Sequence, residues 1–192
     1  MGPEHAAVEP PTFRRPTAAD AHAAAIWLFD RRERVDMHTV AARLGIGRST
    51  LYRWVGDREQ LMDHVILESI GELWRSARRN AQGENLERAL DAARLFMLDC
   101  VRHEPLTHFA RREPNLALRV LLDPDGLVTA ALQSALAHEV ATAAPDLDVP
   151  AESFRVLAMT ATAVVWANVA ADRTPDIEAA ISIMRTVLSA HH

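Results

Sequence analysis

Apolar residues recur at helical spacing along most of the chain, and no segment shows the strict alternation of a β-strand. The first periodic segment predicts a helix that is capped by Thr17 and ends near Arg32. Its apolar face consists of Ala21, Ala24, Ala25, Leu28 and Phe29. Such a face needs partners, so we expect this helix to pack against the elements that follow it.

Three further helices are predicted in the first half of the chain. They run from Asp36 to Leu44, from Arg48 to Val55, and from Asp57 to about Asn80. Asp36 and Asp57 are suitable N-caps, because an aspartate oxygen can accept from the free N–H groups of a first turn. Gly45 and Gly56 end the second and third helices, since glycine readily takes the left-handed conformation at a helix end.

The second half of the chain continues the same pattern, with proline and glycine between the helical segments. Helices are expected over residues 86–103, in short pieces around Phe109 and over 116–122, and over 127–144, 151–171 and 176–190. Nine or ten helices without a strand predict an all-α fold. We divide it into a flexible N-terminal arm at residues 1–16, a helix-turn-helix domain at 17–56 and a regulatory and dimerisation body at 57–192.

The stretch from Thr39 to Leu61, TVAARLGIGRSTLYRWVGDREQL, has the features of a helix-turn-helix. Ala41 is small enough for close helix contact, and Ile46 and Leu51 are expected to pack behind the turn. The outward positions are then Gly47, Arg48, Ser49, Tyr52, Arg53 and Trp54. Because the guanidinium fork of arginine spans two acceptors of guanine, this face favours binding in the major groove of DNA.

An ordinary solvated helix face is the competing interpretation of these arginines. The cluster formed by Arg43, Arg48, Arg53 and Arg58 is nevertheless informative, since the chain as a whole has a net charge of −5. It predicts a local basic face on an acidic protein. In the N-terminal arm, Arg14 and Arg15 could reach a minor groove, although a tail without a contact is the interpretation we favour.

Composition narrows the class of protein further. Of 192 residues, 49% are apolar, and all 21 basic side chains are arginine. No run of about 18 apolar residues and no signal segment is present, which predicts a cytoplasmic protein without a membrane partner. The single cysteine, Cys100, excludes an intrachain disulfide and is expected to be a buried packing thiol.

The stretch from Thr39 to Leu61 resembles the N-terminal signature of the TetR family of transcriptional regulators. The matching residues are Ala41, Leu44, Gly45, Ile46, Thr50, Leu51, Tyr52, Arg58 and Glu59. Trp54 and Val55 replace the usual aromatic pair, and the link between the first two helices is short and lacks the usual glycine. The link Arg-Val-Asp-Met with Thr-Leu-Tyr-Arg-Trp-Val-Gly is similar to the QsdR-type branch, named for regulating quorum-signal degradation.

This resemblance implies roles for individual side chains at a DNA operator. The residues that would contact phosphates are Thr39, Thr50, Tyr52 and Arg58. The residues that would face the bases are Gly47, Arg48, Ser49, Arg53 and Trp54.

The resemblance also implies a homodimer in which helices 151–171 and 176–190 of two copies form a four-helix bundle. Two-fold symmetry would match a pseudo-palindromic operator in double-stranded DNA. Small residues in the first of these helices would permit close contact between helices: Ala158, Ala161, Ala163, Ala167 and Ala170. Internal packing of the same helices is the alternative.

A small-molecule effector site in the body is implied as well. The candidates are large apolar side chains with a few polar groups among them: Trp74, Phe96, Met97, Cys100, His103, Phe109, Leu121, Met159, Thr162, Trp166 and Asn168. Core packing is the competing interpretation for each of them. The effector is unidentified, and the QsdR-type branch suggests a lactone.

No catalytic motif, phosphate-binding loop or metal-binding motif occurs in the chain, so we expect no enzyme activity, no cofactor and no metal. His103 and His108 lie on either side of Pro105 and lack the spacing of metal ligands on one helix face. We therefore predict a ligand-responsive transcriptional repressor that releases its operator when a small apolar effector binds. The alternative is a helical adaptor or ligand-binding protein that has lost DNA binding.

Overall fold

The computed structural model describes residues 14–191, which form ten α-helices and no β-strand. The helices are α1 Ala18–Asp30, α2 Met37–Leu44, α3 Arg48–Val55, α4 Arg58–Asn80, α5 Asn85–Arg102, α6 Glu104–Arg112, α7 Pro114–Leu122, α8 Leu127–Ala143, α9 Ala151–Ala170 and α10 Ile177–Ser189. The predicted all-α fold is confirmed. Residues 1–13 of the predicted arm lie outside the described residues, and the domain boundaries stay predictions.

Side-chain caps fix where α1 and α4 begin. The Thr17 hydroxyl accepts from the Asp20 N–H, and the Asp20 carboxylate accepts from the Thr17 N–H at 2.7 Å, which completes a capping box. The Thr17 hydroxyl also donates to the Asp20 carboxylate at 2.7 Å, and this bond, together with the one from the Thr17 N–H, holds the pKa of Asp20 below its usual value. Asp57 and Gln60 form the same reciprocal pair at the start of α4. Both helices therefore begin where the sequence predicts.

The short link between α1 and α2 turns without a glycine because Arg32 itself takes the left-handed conformation, with φ of 60°. Its N–H donates to the Phe29 carbonyl at 2.8 Å, and the Glu33 N–H donates to the Leu28 carbonyl at 2.9 Å. A side chain in this conformation costs roughly 1–2 kcal/mol relative to a right-handed one. The tight turn brings Val35 into the core, where it is buried.

The core runs continuously from the N-terminal unit, α1–α3, into the body, α4–α10. Leu28, Val40, Leu51 and Leu61 are fully buried where α1–α3 meet the first turns of α4. Farther along, α4 packs against α5, α7 and α8. One helix therefore belongs to both parts, and a shift of α4 within the body would move the N-terminal unit.

Two kinks shape the body between α5 and α7. His103 ends α5 and begins α6, with Pro105 in the first turn, and Glu113 ends α6 and begins α7, with Pro114 in the first turn. Proline is suited to a first helical turn because the N–H it lacks would have no partner there. These kinks turn α6 and α7 toward the N-terminal unit, where Phe109 packs edge-on against Phe29 at 6.1 Å between ring centroids.

Among the described helices, α9 alone is long and apolar enough to cross a membrane by length and composition. It packs against α5, α6, α7, α8 and α10. Its inward residues Phe154, Leu157, Val165 and Trp166 are buried, whereas Val156 remains about half exposed at 51%. The helix is thus a core helix with one free face.

Candidate nucleic-acid interface and regulatory body

The turn between α2 and α3 has the geometry that a helix-turn-helix requires. Gly45 takes the left-handed conformation, with φ of 65° and ψ of 30°, and its N–H donates to the carbonyls of Ala41 and Ala42. The Ile46 N–H also donates to the Ala41 carbonyl, at 3.1 Å. Leu51 is fully buried behind the turn. This packing fixes α3 against α2 and leaves its other face outward.

The outward face of α3 carries two arginines without internal partners. Arg48 and Arg53 are exposed, and neither forms an ion pair within residues 14–191. Tyr52 is 50% exposed beside them. Their N–H donors and the phenolic hydroxyl are therefore available to a nucleic acid.

The remaining predicted contact residues of the helix-turn-helix differ in their solvent exposure and in their hydrogen bonds within the protein. Gly47 and Ser49 are exposed, whereas Thr50 and Trp54 are half-buried, and Trp54 packs partly against the core. The Thr39 hydroxyl donates to the Asp36 carboxylate at 2.8 Å and so belongs to the cap of α2. A phosphate contact from Thr39 would have to compete with that bond.

Hydrogen bonds at the start of α2 stabilise the ionised form of the Asp36 carboxylate. Burial alone would raise its pKa, but hydrogen bonds from the Thr39 N–H and hydroxyl and from the His38 N–H outweigh burial and lower the pKa. The carboxylate therefore stays ionised at neutral pH and supports the start of α2.

Arg58 lies in a different environment from the other predicted phosphate contacts. Its guanidinium donates to both oxygens of Glu113, at 2.6 and 2.7 Å, and its Nε donates to the Val35 carbonyl at 2.5 Å. Both side chains of the pair are 23% exposed. We call this contact the Arg58–Glu113 bridge, and it joins the start of α4 to the α6–α7 junction. In this arrangement Arg58 holds the N-terminal unit to the body, and its predicted phosphate contact would require the bridge to open.

Trp27 is a structural residue of the N-terminal unit that sequence reasoning missed. The guanidinium carbon of Arg43 lies 3.6 Å from the centroid of its ring, and that of Arg31 lies 4.7 Å from it. These distances fit cation–π contacts. Arg43 therefore ties α2 to α1. The only indication of this contact in the sequence is the presence of a large aromatic residue on the polar side of α1.

A pair of histidines lies between α1 and α4. The rings of His22 and His64 are 4.5 Å apart between centroids, and the buried Nε2 of His22 has no hydrogen-bond partner among the described residues. Burial, and then the charge of His64, lowers the pKa of His22. His22 is therefore expected to remain neutral at neutral pH, which avoids repulsion across this contact.

The body contains a small apolar cavity, which we call the core cavity, with a volume of about 40 Å³. It lies between α4, α5, α7, α8, α9 and α10. Seven predicted effector residues line it: Trp74, Phe96, Met97, Cys100, Leu121, Thr162 and Trp166. Trp74 and Phe96 meet edge-on at 5.3 Å between ring centroids. The Thr162 hydroxyl donates to the carbonyls of Ala158 and Met159, so its one donor hydrogen is used within α9 and it can meet a ligand only as an acceptor.

Four predicted effector residues do not line the core cavity. His103 accepts from the Leu106 N–H as the cap of α6, and burial lowers its pKa. Phe109 packs against α1 instead. Asn168 donates to the Val164 carbonyl of its own helix at 2.8 Å, and Met159 is not among the cavity residues. Helical spacing places side chains on a face, but the kinks at α6 and the rotation of α9 decide which faces meet.

Cys100 is buried, as predicted, and burial raises the pKa of its thiol. A thiol that resists ionisation is a poor nucleophile. Within residues 14–191 no group of three His, Cys, Asp or Glu side chains has a geometry that could hold a metal ion.

The sequence matches the family model described as "Tetracyclin repressor-like, C-terminal domain" over residues 84–189. This match spans more than half of the chain, and the helix-turn-helix described above lies N-terminal to it. The chain is a member of the TetR family. Members of this family are in general DNA-binding transcriptional regulators that act as dimers and respond to small molecules, rather than enzymes. No curated protein matches the sequence significantly.

Solved structures of TetR family repressors share the fold of this regulator. The transcriptional repressor QsdR from R. erythropolis superposes with a TM-score of 0.83 at 26% identity, over 90% of this chain and 94% of QsdR. The repressor AlkX from a Dietzia strain, implicated in n-alkane biodegradation, gives a TM-score of 0.57 at 19% identity over 90% and 97% of the two chains. A regulator from a Rhodococcus species gives 0.55 at 22% identity over 90% and 93%. The resemblance to QsdR that the short α1–α2 link suggests is thus supported by the fold.

Proposed function

We propose that this TetR family regulator is a repressor that binds a pseudo-palindromic operator as a homodimer and releases it when a small apolar effector enters the core cavity. The observation that carries the proposal is the outward face of α3, where Arg48 and Arg53 have no internal partner among the described residues. A helical adaptor that had lost DNA binding would gain nothing from two unpaired arginines on a rigidly supported helix.

DNA binding is tested by fluorescence anisotropy with labelled duplexes from the region upstream of the gene and with a shuffled duplex as the control. We expect specific binding that weakens steeply as salt rises, because arginines that neutralise phosphates release counterions. Equal, weak binding to both duplexes would contradict the proposal and favour the adaptor function.

Dimer formation is supported by the free faces of α9 and α10. Val156, Ala163 and Ala167 are exposed along α9, and Ala179 and Ile183 are exposed along α10. These residues are small or apolar, and they lie at helical spacing on faces that no other described helix covers. A second copy would bury them in a four-helix bundle, which also explains the apolar character of α9 without a membrane. We therefore expect the regulator to act in the cytoplasm.

Introducing a charge into this surface should prevent the dimer from forming. The variants Val156→Asp and Ile183→Asp are each expected to shift the protein from dimer to monomer in sedimentation velocity, because a carboxylate without a partner is costly to bury in an interface. Val156 and Ile183 are 51% and 47% exposed in the single chain, so the fold itself should tolerate both changes. Leu127→Asp on α8, which is 51% exposed, is the matched control and should remain dimeric. Dimeric behaviour of both variants would rule out this interface.

The core cavity supports an apolar effector but is too small to hold one without rearrangement. Its volume of about 40 Å³ is far below the roughly 300–1,000 Å³ that is typical of small-molecule sites. Binding would therefore have to separate the lining helices, and Ile70 and Trp74 of α4 line one wall. Movement of α4 would change the spacing of the two α3 helices in a dimer and weaken operator binding.

The effector can be sought by thermal shift with lactones, fatty acids and aromatic compounds, the lactones being suggested by the QsdR-type branch. A true effector should lower operator affinity, and operator should lower effector affinity by the same factor. Equal effector affinity with and without operator would rule out the release mechanism.

A further inference from the structure

We propose that the cleft between the N-terminal unit and the body is a second ligand site, and that it takes a small organic anion with an apolar group and a carboxylate or phosphate head. This interdomain cleft has a volume of about 530 Å³. One wall is formed by the α1–α2 link and α4, and the other by α6 and α7. It shares no lining residue with the core cavity, so the proposal is independent of the apolar effector.

The charge of the cleft is positive although the protein is acidic overall. Four arginines line it, namely Arg32, Arg34, Arg112 and Arg119, against the two carboxylates Glu33 and Glu113. The full chain, by contrast, carries a net charge of −5. Such a local excess of cations attracts an anion into the cleft.

Both carboxylates of the cleft already have partners. Glu113 accepts two hydrogen bonds from Arg58, and its closest approach to the Arg34 guanidinium is 3.8 Å, beyond a hydrogen bond. Glu33 accepts from Arg31 at 3.2 Å, and Arg31 lies outside the cleft lining. Both carboxylates therefore bond to arginines outside the cleft lining, and Glu113 also lies within ion-pair distance of Arg34.

Most guanidinium donors of the cleft remain unused. Arg112 forms no ion pair and Arg34 no side-chain hydrogen bond with any residue that the structure describes. Arg32 donates one N–H to Glu104 at 2.7 Å, and Arg119 donates its Nε to Glu59 at 2.9 Å. Each guanidinium has five N–H donors in a planar fork that fits a carboxylate or phosphate. An oxyanion would supply the missing acceptors.

The floor of the cleft accounts for the apolar part of the ligand. Phe29 comes from α1 in the N-terminal unit, and Met62, Phe109 and Leu116 come from α4, α6 and α7 of the body. These four side chains are almost fully buried, so only a small apolar surface faces the cleft, and a short alkyl or aryl group would cover it.

The backbone of Arg32 is a further sign of a functional position. Its left-handed conformation suits glycine, yet the chain has an arginine there whose side chain lines the cleft. Backbone strain of this kind is concentrated at ligand-binding and switch regions. The tight α1–α2 turn uses this conformation, and the Arg32 side chain lines the cleft beside it.

Titration calorimetry on the full chain without DNA tests the site directly. The probes are hexanoate and phenyl phosphate at matched ionic strength, with hexanamide as the neutral analogue. We expect at least one of the anions to bind once per chain and hexanamide to show no binding. Arg34→Gln and Arg112→Gln should each weaken binding roughly tenfold or more, as expected for a lost charge-assisted hydrogen bond.

Arg79→Gln is the matched control, since it removes an exposed arginine at the end of α4, outside the cleft lining. Its affinity for the anions should equal that of the wild type. Comparing phenyl phosphate with benzoate, which keeps the phenyl group, distinguishes a phosphate head from a carboxylate head. Absence of binding by both anions, equal binding of hexanamide, or full affinity in both cleft variants would each overturn the proposal. A loss of DNA binding in Arg112→Gln with anion affinity unchanged would assign the cleft to the DNA interface instead, and would likewise overturn it.

Discussion

Arg53→Gln and Arg48→Gln should each weaken operator binding by about 1–3 kcal/mol and relax the base preference at one position in each half-site. The reason is that both guanidinium groups are exposed on α3 with no ion pair to any described residue, so their loss removes contacts to DNA and no internal contact. The measurement is anisotropy against the operator and a set of single-base variants of it. The unfolding temperature should stay close to that of the wild type.

Arg79→Gln again provides the control, because it changes the net charge equally but lies at the far end of α4. A uniform loss on all duplexes would assign Arg48 and Arg53 to the phosphates and not to the bases. Unchanged operator binding in both variants would contradict a DNA-binding role for this face of α3.

Glu113→Gln should lower the free energy of unfolding by roughly 2–3 kcal/mol, through loss of the Arg58–Glu113 bridge. Breaking a fully buried ion pair costs about 3–5 kcal/mol, and the lower figure is expected because both side chains keep 23% of their surface in water. Urea unfolding of Glu113→Gln, Arg58→Gln and the double variant would measure the coupling. Strictly additive effects would show that the bridge contributes nothing to stability.

The same variants separate the two roles of Arg58. If Arg58 contacts a phosphate once the bridge opens, Arg58→Gln should weaken binding to all duplexes alike and reduce the salt slope by about 1. Glu113→Gln frees the arginine and should strengthen nonspecific binding. If both variants change DNA affinity in the same direction, Arg58 acts only through the bridge.

The sequence predicted the parts of this protein that depend on neighbouring residues. The caps at Thr17, Asp36 and Asp57 fix where helices begin, and Gly45 fixes where α2 ends, because each bond or backbone angle involves residues only a few positions apart. The exposed face of α3 followed from the same periodicity. For these reasons the all-α fold and the TetR family can be inferred from the order of the amino acids alone.

Contacts between residues that are far apart in the sequence could not be predicted in this way. Arg58 and Glu113 are 55 positions apart, and nothing near either residue indicates the other. The sequence therefore grouped Arg58 with the phosphate contacts, whereas the fold places it at the junction between two parts of the molecule. Trp27 was overlooked for a similar reason, since its partner Arg43 lies on another helix.

The predicted effector residues show the same difference between what neighbouring residues determine and what helix packing determines. Apolar side chains at helical spacing were correctly expected in the interior, but the kinks at Pro105 and Pro114 decide which helix faces meet. They turn Phe109 toward the interdomain cleft and leave Trp74, Phe96 and Trp166 around the core cavity. The sequence alone thus determined the helices and the chemistry of the proposed DNA-binding face. Only the tertiary structure decided which distant charges pair and which side chains share a cavity, because those relations depend on how whole helices pack and not on the order of residues within one.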